Sequence, residues 1–453
     1  MEETSKVQGY HEIKPDKYAY NTVLKAYANS GLTTKAYALL QKMIHNSNKR
    51  ANDLFDDVSF NTVIDSFSKK QRQKNQNQEQ RSNNVKIAMR LYDLMEDYDV
   101  MPNVYTTTSL LNAHAHCGEK NAGKAALDFL YKIEKEKSHI VLSTPAYNAV
   151  LNAWAKSRDY TSPKNIEQLI EHMEYLYESK ENVNVKPNTI SYSILANAWA
   201  RSSNNAFRAQ EILDKVERMY NDDGRDKQLR PNAHLYTTVI NAWARSDEPY
   251  KAQKAYEILK RFEEFSATYG SNSSYNNNEK PNVFTYNAVL NACAYTSGDE
   301  DAKTTAFQIA CTTFNEIRNS KKQKSKSNNK IVPNHVTYGA FLSACAKLLS
   351  QQEKTDKYPL IEAVFRKCCK DGQVGDLALY SLKDATTPKL FKKLLLDSKD
   401  VIDDGSSSII DYSTPSLSSS TSSLLALLND NFRSIQVENL PNKWTCKVKE
   451  RRP

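Results

Sequence analysis

The sequence predicts an all-α protein: an α-solenoid of about eight helix–turn–helix repeats forming a right-handed superhelix. Three observations carry this prediction. An apolar stripe at helical spacing returns along the chain, a second stripe follows each first one, and a proline–asparagine pair closes most copies.

The first stripe emerges when four segments are set side by side: those opening at Tyr20, Phe60, Tyr147 and Tyr286. They read Tyr-Asn-Thr-Val-Leu-Lys-Ala-Tyr, Phe-Asn-Thr-Val-Ile-Asp-Ser-Phe, Tyr-Asn-Ala-Val-Leu-Asn-Ala-Trp and Tyr-Asn-Ala-Val-Leu-Asn-Ala-Cys. Variants open at Thr107, Tyr192, Tyr236 and Tyr338. Large or apolar side chains stand at i, i+3, i+4 and i+7, as in Tyr147, Val150, Leu151 and Trp154, which is one face of a helix. Trp154, Trp199 and Trp243 share the last stripe position and are expected to pack between repeats. The second stripe is Ala36, Leu39, Leu40 and Met43 in the first repeat, and Ala88, Leu91, Tyr92 and Met95 in the second. It is Ile166, Leu169, Ile170 and Met173 in the fourth, and Ala255, Ile258, Leu259 and Phe262 in the sixth. Polar breaks such as Asn29-Ser30-Gly31 and His116-Cys117-Gly118 part the two helices of a hairpin. Pro102-Asn103, Pro187-Asn188, Pro231-Asn232, Pro281-Asn282 and Pro333-Asn334 end the unit, because proline cannot continue a helix.

The repeats are unevenly spaced, and the extra residues fall in polar tracts: Lys69–Asn84, Ser271–Glu279 and Ser320–Lys330. These read as flexible loops at helix junctions, which add little closure entropy. Residues 1–16 read as an N-terminal tail, 17–375 as the repeat array and 376–453 as a C-terminal extension. A last helix pair lies around Leu360–Lys370 and ends at Asp371-Gly372. The extension holds a further helical stretch from Asp376 to Leu396, a Ser-rich linker over Ser406–Ser423, and a short docking segment from Leu440-Pro441 through Trp444 to Val448.

Composition suits an elongated array rather than large globules. Mean hydropathy is −0.68, and only 40% of the 453 residues are hydrophobic. Each repeat need bury its stripe only against its neighbours. The formal net charge of +9 inclines the chain toward polyanions without naming one. Seven cysteines without paired C-x-x-C spacing read as reduced thiols of an intracellular protein. No apolar run is long enough to span a bilayer, and the acidic start at Met1-Glu2-Glu3 carries neither a secretory nor a transit signal.

The recurring pattern Pro-Asn/Asp, two residues, Thr/Ser-Tyr-Asn-Thr/Ala-Val-Leu-Asn-Ala resembles the pentatricopeptide repeat family, over roughly residues 14 to 372. The tail around Cys368-Cys369-Lys370-Asp371-Gly372 and Trp444 is similar to tails on such proteins from single-celled algae. The resemblance implies binding of single-stranded RNA, one base per repeat, in mitochondrial or plastid RNA metabolism. It also implies two base-reading positions. One is the residue after the aromatic that opens the first helix: Asn21, Asn61, Thr108, Asn148, Ser193, Thr237 and Asn287. The other takes the place after the proline at the repeat's end, where Phe55 and Leu142 stand in for proline ahead of Asp56 and Ser143: Asp56, Asn103, Ser143, Asn188, Asn232, Asn282 and Asn334. By the family's pairing rule these spell, read from 5′ to 3′, U, pyrimidine, an open third position leaning to purine, pyrimidine, A, A, pyrimidine. Ser143 lacks a preceding proline and leaves the third position open. Gly339 has no reading side chain and makes the eighth repeat structural.

The chemistry also stands without the resemblance. Short Asn, Asp, Ser and Thr side chains offer donors and acceptors suited to a base's Watson–Crick edge. The competing reading makes the same residues helix caps. Tyr18, Val58, Tyr105, Ile190, Phe284 and Val336, just before each first stripe, would stack between bases or else staple a helix entry. Lys69, His116, Lys156, Arg201, Arg245 and Lys347, at the ends of first helices, form a basic row suited to phosphates, or else complement helix dipoles.

A catalytic reading has no motif behind it: no phosphate loop, no zinc-deaminase pattern and no nucleophile elbow. His114 and His116 point apart on a helix and do not read as a metal pair. The expectation is therefore no enzyme activity and no cofactor, with single-stranded RNA as partner and protein contacts through the C-terminal tail. The rival is a tetratricopeptide-like scaffold for proteins, which shares the architecture but needs neither the small polar pairs nor the cations in register.

Overall fold

Each hairpin starts from a cap written in the sequence. Asn103 accepts the backbone N–H of Tyr105 (3.0 Å) and Thr106 (3.1 Å), while the Thr106 hydroxyl accepts the Asn103 N–H (3.1 Å). This capping box satisfies backbone donors that a first turn otherwise leaves open. It recurs at Asn282 with Thr285 and at Asn334 with Thr337. The same reciprocal bonds join Asp56 to Ser59 and Asn188 to Ser191. At the other end of α5 (Val104–Cys117), Gly118 takes a left-handed φ of 77°, which lets the chain turn back.

The computed structural model describes residues 15–47, 54–70, 77–136, 139–157, 159–202, 205–269, 279–320, 331–397, 440 and 442–449. Nearly all of the Ser271–Glu279 and Ser320–Lys330 tracts, the Ser-rich linker and most of the N-terminal tail lie outside them. The hairpins are α1 (Lys17–Asn29) with α2 (Thr33–Asn46), α3 (Asp57–Lys70) with α4 (Gln78–Asp97), α5 with α6 (Ala122–Glu136), and α7 (Thr144–Ser157) with α8 (Ser162–Glu178). Next come the helices α9 (Thr189–Arg201) and α10 (Ala206–Asp222), then the hairpins α11 (Ala233–Arg245) with α12 (Lys251–Tyr269) and α13 (Val283–Ala294) with α14 (Glu300–Ser320). The last pairs α15 (His335–Leu348) with α17 (Tyr358–Lys370), the short α16 (Gln351–Asp356) lying between them. Then follow α18 (Asp376–Ala385), α19 (Pro388–Asp397) and α20 (Asn442–Lys449). The described residues contain no strand, so the fold is an all-α helical-repeat solenoid.

The Lys69–Asn84 tract is a correction: it is helical from Gln78 onward. Asn77 caps α4 by accepting from the Gln80 N–H (2.9 Å). Val85 then anchors the turn in a buried cluster with Ala113, Cys117 and Ala122. The expected stretch from Asp376 to Leu396 is two helices, broken ahead of Pro388.

The chain divides into two units, the first reaching Ala198 and including Lys227–Leu229, the second holding Trp199–Asp226 and everything from Arg230. In the first unit α1, α3, α5 and α7 pack one on the next, and each second helix wedges against the following first helix. Trp154 is buried on Gly123 of α6, where an added Cβ would run into the indole. In the second unit α11, α13 and α15 stack in the same way, backed by α10, α12 and α14. Trp243 is buried, edge-on to Phe207, and its indole N–H donates to Gln210 (3.0 Å). Trp199 is only half-buried, and the Arg208 guanidinium lies 5.7 Å from its ring.

A ladder of tyrosines bolts successive hairpins together. The hydroxyls of Tyr147, Tyr192, Tyr236 and Tyr286 donate to Glu134, Glu174, Glu217 and Glu263, each on the preceding second helix. Tyr338 turns the other way, to Asp371 (2.7 Å). Burial first, and then the facing carboxylate, push these phenols far up in pKa, so each stays a donor at any ordinary pH. The docking segment packs as α20 against α17. Trp444 is fully buried edge-on to Phe365, and its carbonyl accepts the Val374 N–H (2.9 Å).

Candidate nucleic-acid interface

The helix stacking brings most of the two polar sets together in pairs. Asn21 Nδ2 donates to Asp56 Oδ1 (3.1 Å), and Asn287 Nδ2 donates to Asn334 Oδ1 (3.1 Å). Asn61 meets Asn103, and Asn148 meets Asn188, both at 3.4 Å. Each pair therefore joins the second turn of one first helix to the cap of the next. A third side chain closes each group. The hydroxyls of Ser59, Thr106, Ser191 and Thr337 donate to the Oδ1 of Asn21, Asn61, Asn148 and Asn287 at 2.6, 2.6, 2.7 and 2.7 Å. Sequence reasoning missed these hydroxyls. Their signal was present as Asp/Asn-x-x-Ser/Thr, the capping box itself.

The clamp fixes what each amide has left to offer. The Asn carbonyl uses one lone pair on the hydroxyl, and the amide uses one N–H on its partner. One donor and one acceptor remain, side by side. Asn148 and Asn287 are buried, as is Asn334, while Asn21 and Asn61 are half-buried. At Asp56 burial opposes ionisation, but hydrogen bonds from Asn21 and Ser59 and the charge of Lys17 (3.4 Å) outweigh it and lower the carboxyl pKa.

The hydroxyl members behave differently. Thr108 Oγ1 donates to the Val104 carbonyl (2.7 Å) and Ser193 Oγ to that of Thr189 (2.6 Å). With the proton turned inward, only acceptor lone pairs remain. Thr237 Oγ1 shares a hydrogen bond with Thr285 Oγ1 (3.0 Å), beside the Asn282 cap. Ser143 is half-buried and opens α7 without an N3 hydroxyl, because Ala146 stands there. Asn232 caps α11 by accepting from the Leu235 N–H (3.0 Å). Ser193 and Asn232 fall one in each unit.

The expected stacking residues occupy the second helical position. Tyr18, Tyr105 and Phe284 are 74%, 78% and 69% exposed, Val58 and Ile190 are exposed as well, and Val336 is half-buried. A hydrophobic staple lies one residue before the cap, so these residues are out of place for one. The same register holds exposed Pro145 and His234, which the sequence reading passed over.

The cations also keep their register. Lys156, Arg201, Arg245 and Lys347 are exposed, and Lys69 is exposed with an ion pair to Asp65 (2.6 Å). His116 Nδ1 meets the Asn112 carbonyl (2.7 Å), and its Nε2 meets Lys156 Nζ from the next repeat (3.0 Å). Lys347 lies 3.7 Å over the ring of Tyr295, which holds the corresponding place in the seventh repeat. His114 is mostly buried, and desolvation lowers its pKa. Among the described residues no group of three His, Cys, Asp or Glu side chains could hold a metal. No described helix is long and apolar enough to cross a membrane.

Stacked hairpins with a clamped polar pair at four of their junctions define a helical-repeat protein with a reiterated polar edge. Residues 18–47 match the family model of the PPR repeat, and their pattern returns in the hairpins that follow. Those residues thus carry a pentatricopeptide repeat. The chain is similar to the crystal structure of the pentatricopeptide repeat protein PPR10 from maize, at 18% identity and a TM-score of 0.39, over 86% of this chain and 54% of that one. It is also similar to PPR10 in complex with an 18-nucleotide psaJ RNA element, at 15% identity and a TM-score of 0.35, over 88% of this chain and 57% of that one. The chain thus spans little more than half the length of the solved chains it matches. No curated protein matches the sequence.

Proposed function

We propose that the chain binds single-stranded RNA without catalysis, one base per repeat, and acts in organellar RNA processing, stability or translation. Three side-chain classes recur at three fixed places in the hairpins: a polar pair at the junction, an apolar face at the second helical position, and a cation at the first helix's end. The exposure of Tyr18, Tyr105 and Phe284 carries the reading. A cap needs no aromatic beside it, whereas a base edge on the polar pair brings a base face onto that ring. Asn21 with Asp56 reads U. The clamped Asn–Asn pairs, each offering one donor and one acceptor, read pyrimidines. Thr237 with Asn282 reads A. The cations hold the phosphates and add affinity without selection.

The test is a selection from randomised RNA followed by titration of the winning sequence at two salt concentrations. Sequence-selective binding that weakens with salt is expected. Failure to bind any single-stranded RNA would overturn the proposal and leave a protein-binding scaffold. Localising the tagged full-length gene product tests the organellar role.

A further inference from the structure

The row of first helices does not stop at the eighth repeat. α18 packs on α15 as α15 packs on α13, and it does so in register. At the start of α5, Asn103 reaches back to Asp57, the first residue of α3 (3.0 Å). At the start of α18, a Cβ on Gly375 would touch His335, the first residue of α15, at 3.4 Å. Gly375 is thus the ninth cap residue, with an extended backbone but no capping side chain. Counting onward, Leu377 takes the second helical position, where Tyr105 and Phe284 stand in other repeats. Tyr380 takes the base-reading position.

This ninth step has the parts of a nucleotide seat with the selective parts removed. Gly339, at the eighth reading position, has no side chain, because a Cβ there would lie 2.7 Å from Leu377 Cγ. Gly375 likewise offers no donor or acceptor side chain. Apolar surface remains instead: Leu377 is 39% and Tyr380 54% exposed. The Lys383 ammonium lies 5.2 Å from the Tyr380 ring centre. An exposed ring with one ammonium at its face, at the end of a row of apolar residues at the second helical position, suits an aromatic base face. A phenol ring stacks on any base, and glycines select none.

We propose that Leu377 and Tyr380 form an end platform that holds the nucleotides immediately 3′ of the seven read bases, without regard to sequence. The proposal rests on the RNA-binding reading and fixes where sequence selection stops. It also gives α18 a role beyond covering the last hairpin.

The test uses the full chain with a seven-nucleotide RNA matched to the repeats, and with the same RNA carrying two more 3′ nucleotides. The extension is UU, AA, CC or GG, or two abasic units. All four base-bearing extensions should bind alike, and roughly five-fold or more tighter than the abasic one, as a stacked base is expected to contribute. Tyr380→Ala should erase that difference while leaving seven-nucleotide binding and the melting temperature unchanged. Tyr380→Phe should retain the difference. A base-bearing extension no tighter than the abasic one would overturn the platform, as would an unaltered difference in Tyr380→Ala or a marked preference among the four bases. Loss of seven-nucleotide binding in the wild type would instead overturn the RNA-binding reading beneath it.

Discussion

Asn282→Asp separates capping from reading at a single atom. Asn282 Oδ1 accepts the N–H groups of Phe284 (2.9 Å) and Thr285 (3.2 Å) and the Thr285 hydroxyl (3.4 Å). A carboxylate keeps all three acceptor roles. It also places a negative charge at a helix N-terminus, which is favourable by about 0.3–1 kcal/mol. The melting temperature should therefore hold or rise slightly. What the substitution removes is the amide's two N–H donors. Adenine presents an acceptor at N1 and a donor amine at N6, and at position 282 the amide can donate to that N1 whereas the carboxylate cannot. Guanine presents donors at N1 and N2, which a carboxylate accepts. The sixth selected base should move from A toward G, by about 1–3 kcal/mol, the range of a base-edge contact. Parallel selections from randomised RNA, with titration of oligonucleotides differing only at that base, measure it. Asn282→Ala is the control: it loses the cap and about 0.5–2 kcal/mol of stability. If Asn282→Asp binds well and still selects A, Asn282 is a cap and nothing more.

Other consequences follow from the same geometry. Changing Lys156, Arg201 and Arg245 together to Gln should weaken all RNAs alike and lower the slope of log K against log salt by about 0.7 per lost phosphate contact; a changed base preference with the slope intact would make them readers. Gly123→Val should cost about 1–3 kcal/mol, because the new side chain meets the Trp154 indole; equal losses in wild-type and Trp154→Ala backgrounds, read by denaturant titration, would deny the contact. The lowered pKa of Asp56 gives a stability contribution present above the ordinary carboxylate value of 3.8 and lost as pH falls through the lower native value. Asp56→Asn should flatten that acid limb, and an unchanged acid titration would show that Asn21, Ser59 and Lys17 do not hold the charge.

Period and punctuation carried the fold because each hairpin repeats both. The stripe at Tyr147, Val150, Leu151 and Trp154 and the stop at Pro187-Asn188 are local signals, and local signals survive variable loops. The tyrosine ladder is not local in that sense. Tyr147 reaches Glu134 while Tyr286 reaches Glu263 across a longer insertion, so no fixed interval marks the pairs. The α4 start was hidden by composition: Asn77 is one amide among many until Val85 is seen to be buried. The polar pairs were legible as residue types. Their clamps were not, because Ser59 bonds Asn21 from the next hairpin, and only helix stacking shows that the two meet. The glycine at 339 was legible as a gap in the polar row, but its cause, Leu377 of α18, lay beyond the apparent end of the array.

On the proposed reading, capping and base recognition fall to the same side chains, and their coupling predicts where selection fails. A base-edge contact discriminates only if the reading group cannot turn to suit the wrong base. At Asn61 the amide is held from two sides, by Asn103 (3.4 Å) and by the Thr106 hydroxyl (2.6 Å). A mismatched base then leaves a fixed donor or acceptor unpaired in a confined site, at a cost of about 1–3 kcal/mol. The junction between Thr108 and Ser143 lacks this device. Ala146 replaces the clamping hydroxyl, and the Thr108 hydroxyl is turned back to the Val104 carbonyl (2.7 Å). An oxygen that only accepts can face the amine of adenine or of cytosine with equal ease. The third position, whose cap Ser143 also carries no amide, should therefore be less well defined than the second in RNA selected by the wild type. Ser143→Asn with Ala146→Thr should restore a capping box there and sharpen that position alone. The base frequencies of selected pools measure both effects. A third position as well defined as the second in the wild type, or one left unsharpened in the stable double variant, would show that the clamp does not set selectivity.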